Sequence, residues 1–253
     1  MFPNLWFKFY QVDSSGTKNN SWVCCAFAKA DTSPSLHHQK TSLMKHLILA
    51  LAILISSTAM AQSKYEEGMT KALELMSQDK MEEASNLFQR IATAEKDNWL
   101  PYFYVAQAEI VKVWMQWEDR DESMLKAQTS KAQEYINTAN SFTENNEYMM
   151  YLQAQLHTIW VAHDGMKYGM TLSPKVVQLY EKALKISPNN PMLILSKAEW
   201  DIGGAAFFGT STEPYCKEIE RAISLFPTFK PATKFHPNYG ADRASEVLEK
   251  CKA

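Results

Sequence analysis

The chain has 253 residues and a formal net charge of −2, and 46% of its residues are hydrophobic. This length is sufficient for one domain with a substantial buried core. A mildly acidic chain lacks the excess positive charge that nucleic-acid binding requires, so the composition argues against nucleic acid as a partner.

Residues 44–61 have the three-part pattern of a signal peptide. A short basic start is followed by nine consecutive apolar residues, 47–55, and the segment ends in small residues. Ala59 and Ala61 occupy positions −3 and −1 of a predicted cleavage site between Ala61 and Gln62. A membrane span needs about 20 apolar residues, so this stretch is too short for a permanent anchor. We therefore predict cleavage and no membrane span in the mature chain.

Residues 1–43 precede the predicted signal peptide, although such a signal normally stands at the N-terminus. They show no sustained periodicity, and the adjacent Cys24 and Cys25 fit no metal-ligand spacing. We interpret this segment as an over-extended start, with Met44 as the initiator. The alternative is a genuine disordered extension.

The predicted mature chain, residues 62–253, forms one domain. It contains 21 Lys and Arg residues and 26 Asp and Glu residues, which gives a formal net charge of −5. No Cys directly follows the cleavage site, so the sequence does not indicate a lipoprotein anchor. We expect a protein of the periplasm or of the extracellular space.

Amphipathic helices in antiparallel pairs are predicted along the mature chain, because apolar residues recur at helical spacing and no strand alternation is evident. The first hairpin covers about residues 63–96. In the second hairpin, Asn98 caps a helix that reaches about Trp117, and a partner helix follows over about residues 123–141.

The third hairpin begins near Asn146, where a helix is predicted to run towards Gly169. Its partner helix is predicted to open at Ser173 and Pro174, because Pro is favoured in the first turn of a helix. This partner helix ends at Ser187, where a Pro- and Asn-rich turn follows.

The fourth hairpin covers residues 190–226, and its first helix is predicted to stop at Gly203 and Gly204. A phosphate cradle is not indicated there, because no strand precedes these glycines and no Lys-Ser or Lys-Thr pair follows them. After a Pro-rich segment, a final helix over about residues 241–251 has a polar face and would cap the stack.

The second helices of the four hairpins share a pattern in which a large apolar residue is followed three positions later by a small or small-apolar one. The pairs are Phe88 and Ile91, Ile136 and Ala139, Tyr180 and Ala183, and Ile219 and Ala222. With Pro188 after the third pair, the pattern resembles the tetratricopeptide repeat (TPR) family. The resemblance implies an all-α, TPR-like superhelical stack of helix hairpins with a C-terminal capping helix. Intervals of 48, 44 and 39 residues exceed the roughly 34 of a standard repeat.

Motifs for catalysis are missing from the mature sequence, which contains no G-x-S-x-G, no P-loop and no H-E-x-x-H. His157 and His163 are six residues apart, which places them about 240° apart around a helix, so we do not expect them to share a metal. We therefore predict a protein that is not an enzyme, with no metal site and no cofactor.

Aromatic and amide side chains on two first helices are the candidate binding residues, because first helices line the concave face of such a stack. Those predicted to face a partner are Tyr104, Gln107, Trp114, Tyr151 and Gln155. The alternative is that these large side chains fill the core.

Cys216 and Cys251 are predicted to form a disulfide. They are the only cysteines left after cleavage, and an exported protein meets an oxidising compartment. Antiparallel packing of the last two helices would bring them together. The alternative is two unrelated buried thiols.

The sequence thus predicts an exported, non-enzymatic binding or scaffolding protein that offers a concave helical surface to a protein or peptide partner. A small-ligand carrier with a Tyr- and Trp-lined pocket is the alternative, and an enzyme of unrecognised type is a third reading. The region from Gly203 to Gly240 is also similar to the C-terminal part of small exported helical-repeat proteins of Gram-negative bacteria, some related to the T-component of periplasmic TRAP transport systems.

Overall fold

The computed structural model describes residues 62–252, and this part of the chain consists of nine helices with no strand. Helix α1 covers residues 62–77. The others, in chain order, are α2 (Met81–Ala94), α3 (Trp99–Met115), α4 (Glu122–Asn140), α5 (Glu147–His163), α6 (Gly165–Ile186), α7 (Pro191–Phe208), α8 (Glu213–Leu225) and α9 (Ala241–Lys252). The predicted all-α class is confirmed for these residues. The predicted signal peptide and the segment before it lie outside them.

Neighbouring helices pack as hairpins, α3 with α4, α5 with α6 and α7 with α8, and α3 also packs on α5. Trp99 at the start of α3 stacks on Tyr148 at the start of α5, with ring centroids 5.4 Å apart. Asn190, which caps α7, donates from Nδ2 to Tyr148 Oη at 3.4 Å. The starts of α3, α5 and α7 therefore lie together, and their C-terminal ends share the opposite edge of the stack. Within residues 62–252, every helix falls short of the length and apolar character that a bilayer crossing requires.

Side-chain caps determine where the first helices begin. Asn98, Asn146 and Asn190 each accept hydrogen bonds from first-turn N–H groups, of α3, α5 and α7 respectively. Asp121 caps α4 in the same way. Each such cap stabilises its helix by about 1 kcal/mol. The predicted starts of the second and third hairpins are therefore confirmed, together with their capping residues.

The predicted boundary between α5 and α6 is wrong. Helix α5 ends at His163 rather than near Gly169, and α6 begins at Gly165 rather than at Ser173 and Pro174. The Asp164 side chain caps α6 by accepting a hydrogen bond from the Lys167 N–H at 2.9 Å. Pro174 lies inside α6, where it removes one backbone hydrogen bond without ending the helix. A strong cap upstream outweighs the start signal that Pro174 gives in the sequence.

The predicted stop at Gly203 and Gly204 is also wrong, because α7 continues through both residues to Phe208. A Cβ added at either glycine would meet no other atom within 4 Å, so nothing at these positions requires a glycine. The helix ends instead at Gly209, whose φ of +67° lies in the left-handed region that glycine adopts without strain.

The apolar interior has two parts. The larger cluster extends through α1 to α6 and reaches the start of α7, with Phe88, Phe103 and Tyr180 among its largest side chains. The smaller cluster joins α7, α8 and α9 through residues such as Leu195, Ile219 and Ala244. The last helix therefore has only a small core of its own.

A buried carboxylate links α2, α3 and α4. Glu109 is 1% exposed; its Oε1 accepts from Ser85 Oγ at 2.8 Å and lies 2.9 Å from Lys131 Nζ. Its Oε2 lies 2.8 Å from Lys112 Nζ, which also pairs with Glu82 at 2.7 Å. Burial lowers the pKa of Lys112, but hydrogen bonds and charges from the two glutamates outweigh it, so the pKa is raised. Because each of its carboxylate oxygens is paired with a lysine, Glu109 can remain charged in the interior.

The predicted disulfide is present between Cys216 of α8 and Cys251 of α9, with Cα atoms 6.0 Å apart. It closes a loop with a sequence separation of 35 residues. The loop contains the irregular segment 226–240, which we call the link, and most of α9. The disulfide thus fastens a helix whose own apolar contacts are few.

Candidate functional site

The link lies across the first helices of the stack. The Phe235 ring meets the Tyr65 ring of α1 edge to face, with centroids 5.5 Å apart. The Phe235 carbonyl oxygen accepts a hydrogen bond from Tyr104 Oη of α3 at 2.9 Å. Lys234 forms an ion pair with Glu66 of α1. This half of the link therefore covers α1 and α3.

The second half of the link reaches α5 and α7. Tyr239 is 37% exposed, yet its Oη donates to the buried Tyr151 Oη of α5 at 3.4 Å. Gly240 has a φ of +109°, and a Cβ there would stand 2.8 Å from Leu195 Cδ2 of α7. A glycine is needed at this position, because another residue would strain the backbone and displace Leu195. We call the surface of α1, α3, α5 and α7 beneath the link the first-helix face.

The five predicted binding residues lie in different places. Tyr104, Gln107 and Tyr151 come together on the first-helix face, where all three are buried. Gln155 is half-buried and donates to a tyrosine hydroxyl of α6 at 2.9 Å. Trp114 is exposed at the C-terminal end of α3. The open groove expected from the sequence is thus covered by the link, and a role for these residues in partner binding stays a prediction.

The tyrosine hydroxyls of this region are neutral at physiological pH. Burial raises the pKa of Tyr104 and Tyr151, and raises that of Tyr180 and of Tyr239, whose hydroxyl end points inward to Tyr151, well above the usual value. Burial also raises the pKa of Tyr148 to about 12. Because burial disfavours the phenolate form, these tyrosines act as neutral hydrogen-bonding groups. Acting as a metal ligand or as a base would require the phenolate.

Unused hydrogen-bonding capacity remains on the first-helix face. Gln107 Oε1 is buried without a hydrogen-bond partner among residues 62–252, and so is Tyr65 Oη. The Gln107 amide lies within reach of the Tyr151 hydroxyl and opposes the rise that burial gives to the pKa of Tyr151. An unpaired buried polar atom costs about 1–3 kcal/mol. The link therefore leaves polar atoms of the first-helix face without hydrogen-bond partners.

We expect Tyr104→Phe to lower the free energy of unfolding by about 1 kcal/mol, because it deletes the hydroxyl that donates to the Phe235 carbonyl and keeps the ring. Urea denaturation of the mature chain measures the change. Tyr135→Phe, on the outer helix α4, is the matched control. An unchanged midpoint for Tyr104→Phe would show that this contact does not hold the link.

Two cavities adjoin the link. One, of about 500 Å³, lies beside α1 and is lined mainly by charged residues, among them Glu66, Glu67 and Glu74. The other, of about 330 Å³, lies at the starts of α3 and α5 and is lined by Trp99 and His236 together with polar groups. Burial lowers the pKa of His236. Neither cavity is the enclosed apolar pocket that a buried small ligand would favour.

Exposed apolar side chains gather at one edge of the stack. Met166 and Met170, one turn apart at the start of α6, are 94% and 91% exposed, and Phe207 and Phe208 at the end of α7 are 78% and 77% exposed. With Trp114 and Met115 at the end of α3, they form what we call the edge surface. Six of the eight large apolar side chains exposed in the described range belong to it.

The α3 and α7 residues of the edge surface lie at similar distances along their helices from the helix starts. At 1.5 Å per residue, Trp114 lies about 22 Å along α3 from Trp99, and Phe207 lies about 24 Å along α7 from Pro191. Helix α5 ends at His163, and α6 starts two residues later at the same edge. Because α3, α5 and α7 start together and have similar lengths, their C-terminal ends lie towards the same edge of the stack.

Aromatic rings and cations border the edge surface. Trp117 lies 4.6 Å from Trp114 between ring centroids, and the Arg120 guanidinium sits 3.9 Å over the Trp117 ring. Lys167 lies 4.8 Å over the Tyr168 ring and 3.7 Å from a carboxylate oxygen at the start of α4. This ion pair joins the second and third hairpins at the edge, where residues 118–122 also bring four carboxylates beside Arg120.

Sequence reasoning did not identify the edge surface or the path of the link. The available signal for the edge was Phe207 and Phe208 standing next to a helix-ending Gly209, with Met166 and Met170 at i, i+4 spacing. No comparable signal existed for the link. Within residues 62–252, no group of three or more His, Cys, Asp and Glu residues is placed to hold a metal ion.

Comparisons with known proteins bear on the fold. No protein-family model matches the chain, and no curated protein matches it. The resemblance to the TPR family therefore stays a prediction. The structure is similar to that of the HusA haemophore from Porphyromonas gingivalis, with a TM-score of 0.65 and 18% sequence identity. The match covers 74% of this chain and 92% of that chain, which at this identity shows a shared fold.

Proposed function

We propose that this chain is an exported, non-enzymatic binding protein whose ligand is a small amphipathic molecule of the haem class. The edge surface is the observation that carries the proposal. Exposed apolar side chains in such number at one edge of a soluble protein are uncommon, and apolar patches often mark binding sites. The similar fold of a protein named a haemophore supports this ligand class.

Export is supported by two independent features. Residues 44–61 have the pattern of a signal peptide, and Cys216 is bonded to Cys251. Disulfides form and persist in the periplasm and outside the cell, where thiols are not kept reduced. We therefore place the mature protein in the periplasm or among secreted proteins.

The edge surface suits a flat apolar ring that carries acidic groups. Exposed Phe and Trp rings can stack on such a ring, and the flexible Met166 and Met170 side chains can adapt to its face. Arg120, whose guanidinium lies over the Trp117 ring, can pair with a ligand carboxylate, and Lys167 could do so by exchanging its partner Glu122. Methionine sulfur is among the groups that bind haem iron in proteins, so the residues present fit this ligand.

The first-helix face is the second candidate surface, for a protein or peptide partner. Tyr104, Gln107 and Tyr151 lie there, and the unpaired Gln107 Oε1 favours a partner that can donate a hydrogen bond. Trp114 lies at the far end of α3, and the Gln155 amide donates to Tyr180 of α6, so the five predicted residues would not act as one site. A partner could use the face only if the link moved away.

Titration of the mature chain with haemin, followed by its visible absorbance, tests the first proposal. We expect saturable binding, and a loss of about tenfold or more in affinity in Phe207→Ser/Phe208→Ser and in Met166→Ser/Met170→Ser. Burial of each such side chain contributes about 1.5–3 kcal/mol, and 1.4 kcal/mol corresponds to tenfold in affinity.

Ile186→Ser is the matched control, because Ile186 is exposed at the opposite end of α6. It should leave haemin binding unchanged. Iron-free protoporphyrin should bind within about tenfold of haemin if the apolar contacts dominate. Absence of haemin binding, or equal binding by the edge variants and the wild type, would contradict the proposal.

A further inference from the structure

The link packs on the first helices as an extended peptide would, with Phe235 entering the larger apolar cluster. It has no helix or strand over residues 226–240, yet its contacts extend from α1 to α7. Between Phe229 and Gly240, only Phe235 and Pro237 are buried. Much of the segment is therefore exposed while it covers a surface rich in buried tyrosines.

We infer that the first-helix face binds an extended peptide segment that carries a basic residue and two aromatic residues, and that the link competes with this partner by occupying the same face. This inference rests on the second candidate surface and is independent of the edge surface. The expected chemistry of the partner follows from the side chains that the link itself brings to the first-helix face.

The aromatic requirement comes from Phe235 and Tyr239, which are four residues apart. Phe235 inserts beside Tyr65 while its carbonyl oxygen accepts from Tyr104 Oη. Tyr239 brings a second ring whose hydroxyl reaches Tyr151. A segment with aromatic residues at this spacing would reproduce both contacts from α1 to α5.

The charge requirement comes from Lys234 and the acidic surface beside it. Lys234 pairs with Glu66, and the cavity of about 500 Å³ at this point is also lined by Glu67 and Glu74, with Lys71 as its other cation. A basic residue next to the first aromatic residue of a partner would meet the same carboxylates. Electrostatic complementarity of this kind favours a basic over an acidic peptide.

The unpaired polar atoms explain why another segment could bind better than the link. Pro237 stands midway between Phe235 and Tyr239 and has no N–H to donate. Gln107 Oε1, which adjoins Tyr151, is left without a donor. A peptide with an ordinary residue in place of Pro237 has one backbone N–H more than the link, and a partner that brings a donor to Gln107 Oε1 would pair an atom that the link leaves unpaired.

Attachment at both ends gives the link an advantage over a free peptide. It runs from α8 into α9, and the bond between Cys216 and Cys251 closes the loop that contains it. Because the link is tethered, its effective concentration at the face is high. The fewer molecules have an open face, the weaker a partner's apparent affinity becomes. Weakening the link should therefore strengthen peptide binding.

A fluorescent peptide with the sequence of residues 228–240, but with Ala in place of Pro237, is the probe, and fluorescence polarisation measures its binding. We expect Phe235→Ser/Tyr239→Ser in the protein to bind it about tenfold or more tightly than the wild type does. Asn238→Ala, at an exposed link position, is the matched control and should behave as wild type. The same peptide with Ser at both aromatic positions should not bind.

Reduction of the wild-type disulfide provides a second route that needs no substitution, in case the double variant does not fold. Opening the loop should also increase binding of the probe, provided circular dichroism shows that the helices persist. No saturable binding by either form, or equal binding of the Ser-substituted peptide, would overturn the inference. Haemin titration of the same samples separates the two proposals, because link variants should leave binding at the edge surface unchanged.

Discussion

Glu109→Ala is expected to lower the free energy of unfolding by about 3 kcal/mol. Both carboxylate oxygens of Glu109 lie in the interior, one between Ser85 and Lys131 and the other against Lys112. The substitution leaves two lysines facing one another without the charge between them, and it leaves a cavity where three helices meet. Lys112 keeps Glu82, which is why the expected loss is at the lower end for a broken buried ion pair.

Urea denaturation of the mature chain measures this loss. Glu109→Gln retains the shape and an acceptor for Ser85, so its loss should be smaller than that of Glu109→Ala. Glu134→Ala, at an exposed position on α4, is the control and should change stability by less than about 0.5 kcal/mol. A loss of similar size in Glu109→Ala and Glu134→Ala would show that the buried network does not contribute to stability.

Replacing both cysteines of the disulfide by serine is expected to lower stability by about 3–4 kcal/mol, on the chain-entropy estimate for a loop of this size. The effect should be largest at α9, whose apolar contacts are limited to the small cluster with α7 and α8. Amide hydrogen exchange should therefore accelerate in α9 and the link before it does so in α3 or α5.

Reduced wild-type protein is the natural comparison for Cys216→Ser/Cys251→Ser, because it has the same open loop and differs only in the two thiols. The two should unfold at the same denaturant concentration. A double variant that is as stable as the oxidised wild type would mean that packing alone holds α9 in place.

Local signals in the sequence were sufficient for most helices. Asn98 and Asn190 begin helices because their side chains accept first-turn hydrogen bonds, and this chemistry depends only on neighbouring residues. Pro174 and Gly203 misled the assignment for the opposite reason. Either residue can stand inside a long helix when a cap or a left-handed glycine elsewhere fixes the true end.

The candidate sites were harder to predict, because they depend on the path of a segment without periodicity. Tyr104, Gln107 and Tyr151 were expected to line an open groove, and nothing local indicates that residues 226–240 return across these first helices. Burial of these side chains is a consequence of that return. The edge surface was missed because hydrophobic residues at helix ends are normally assigned to the core.

The pairing of Cys216 with Cys251 could be predicted because export and an even cysteine count leave one combination. The structural role of this disulfide could not be predicted, because the sequence does not show that the closed loop holds the link over four helices. The same disulfide therefore stabilises the last helix and restrains the segment that covers the first-helix face.

The most direct test of the account is where haemin binds on the mature chain. Methionine methyl groups labelled with carbon-13 give separate NMR signals, which single Met→Leu variants can assign, and the paramagnetic iron of haemin broadens those nearby. We predict that substoichiometric haemin broadens the signals of Met115, Met166 and Met170 at the edge surface and leaves those of the buried Met69 and Met192 sharp. Unchanged signals at all three edge methionines in the presence of bound haemin would contradict the account.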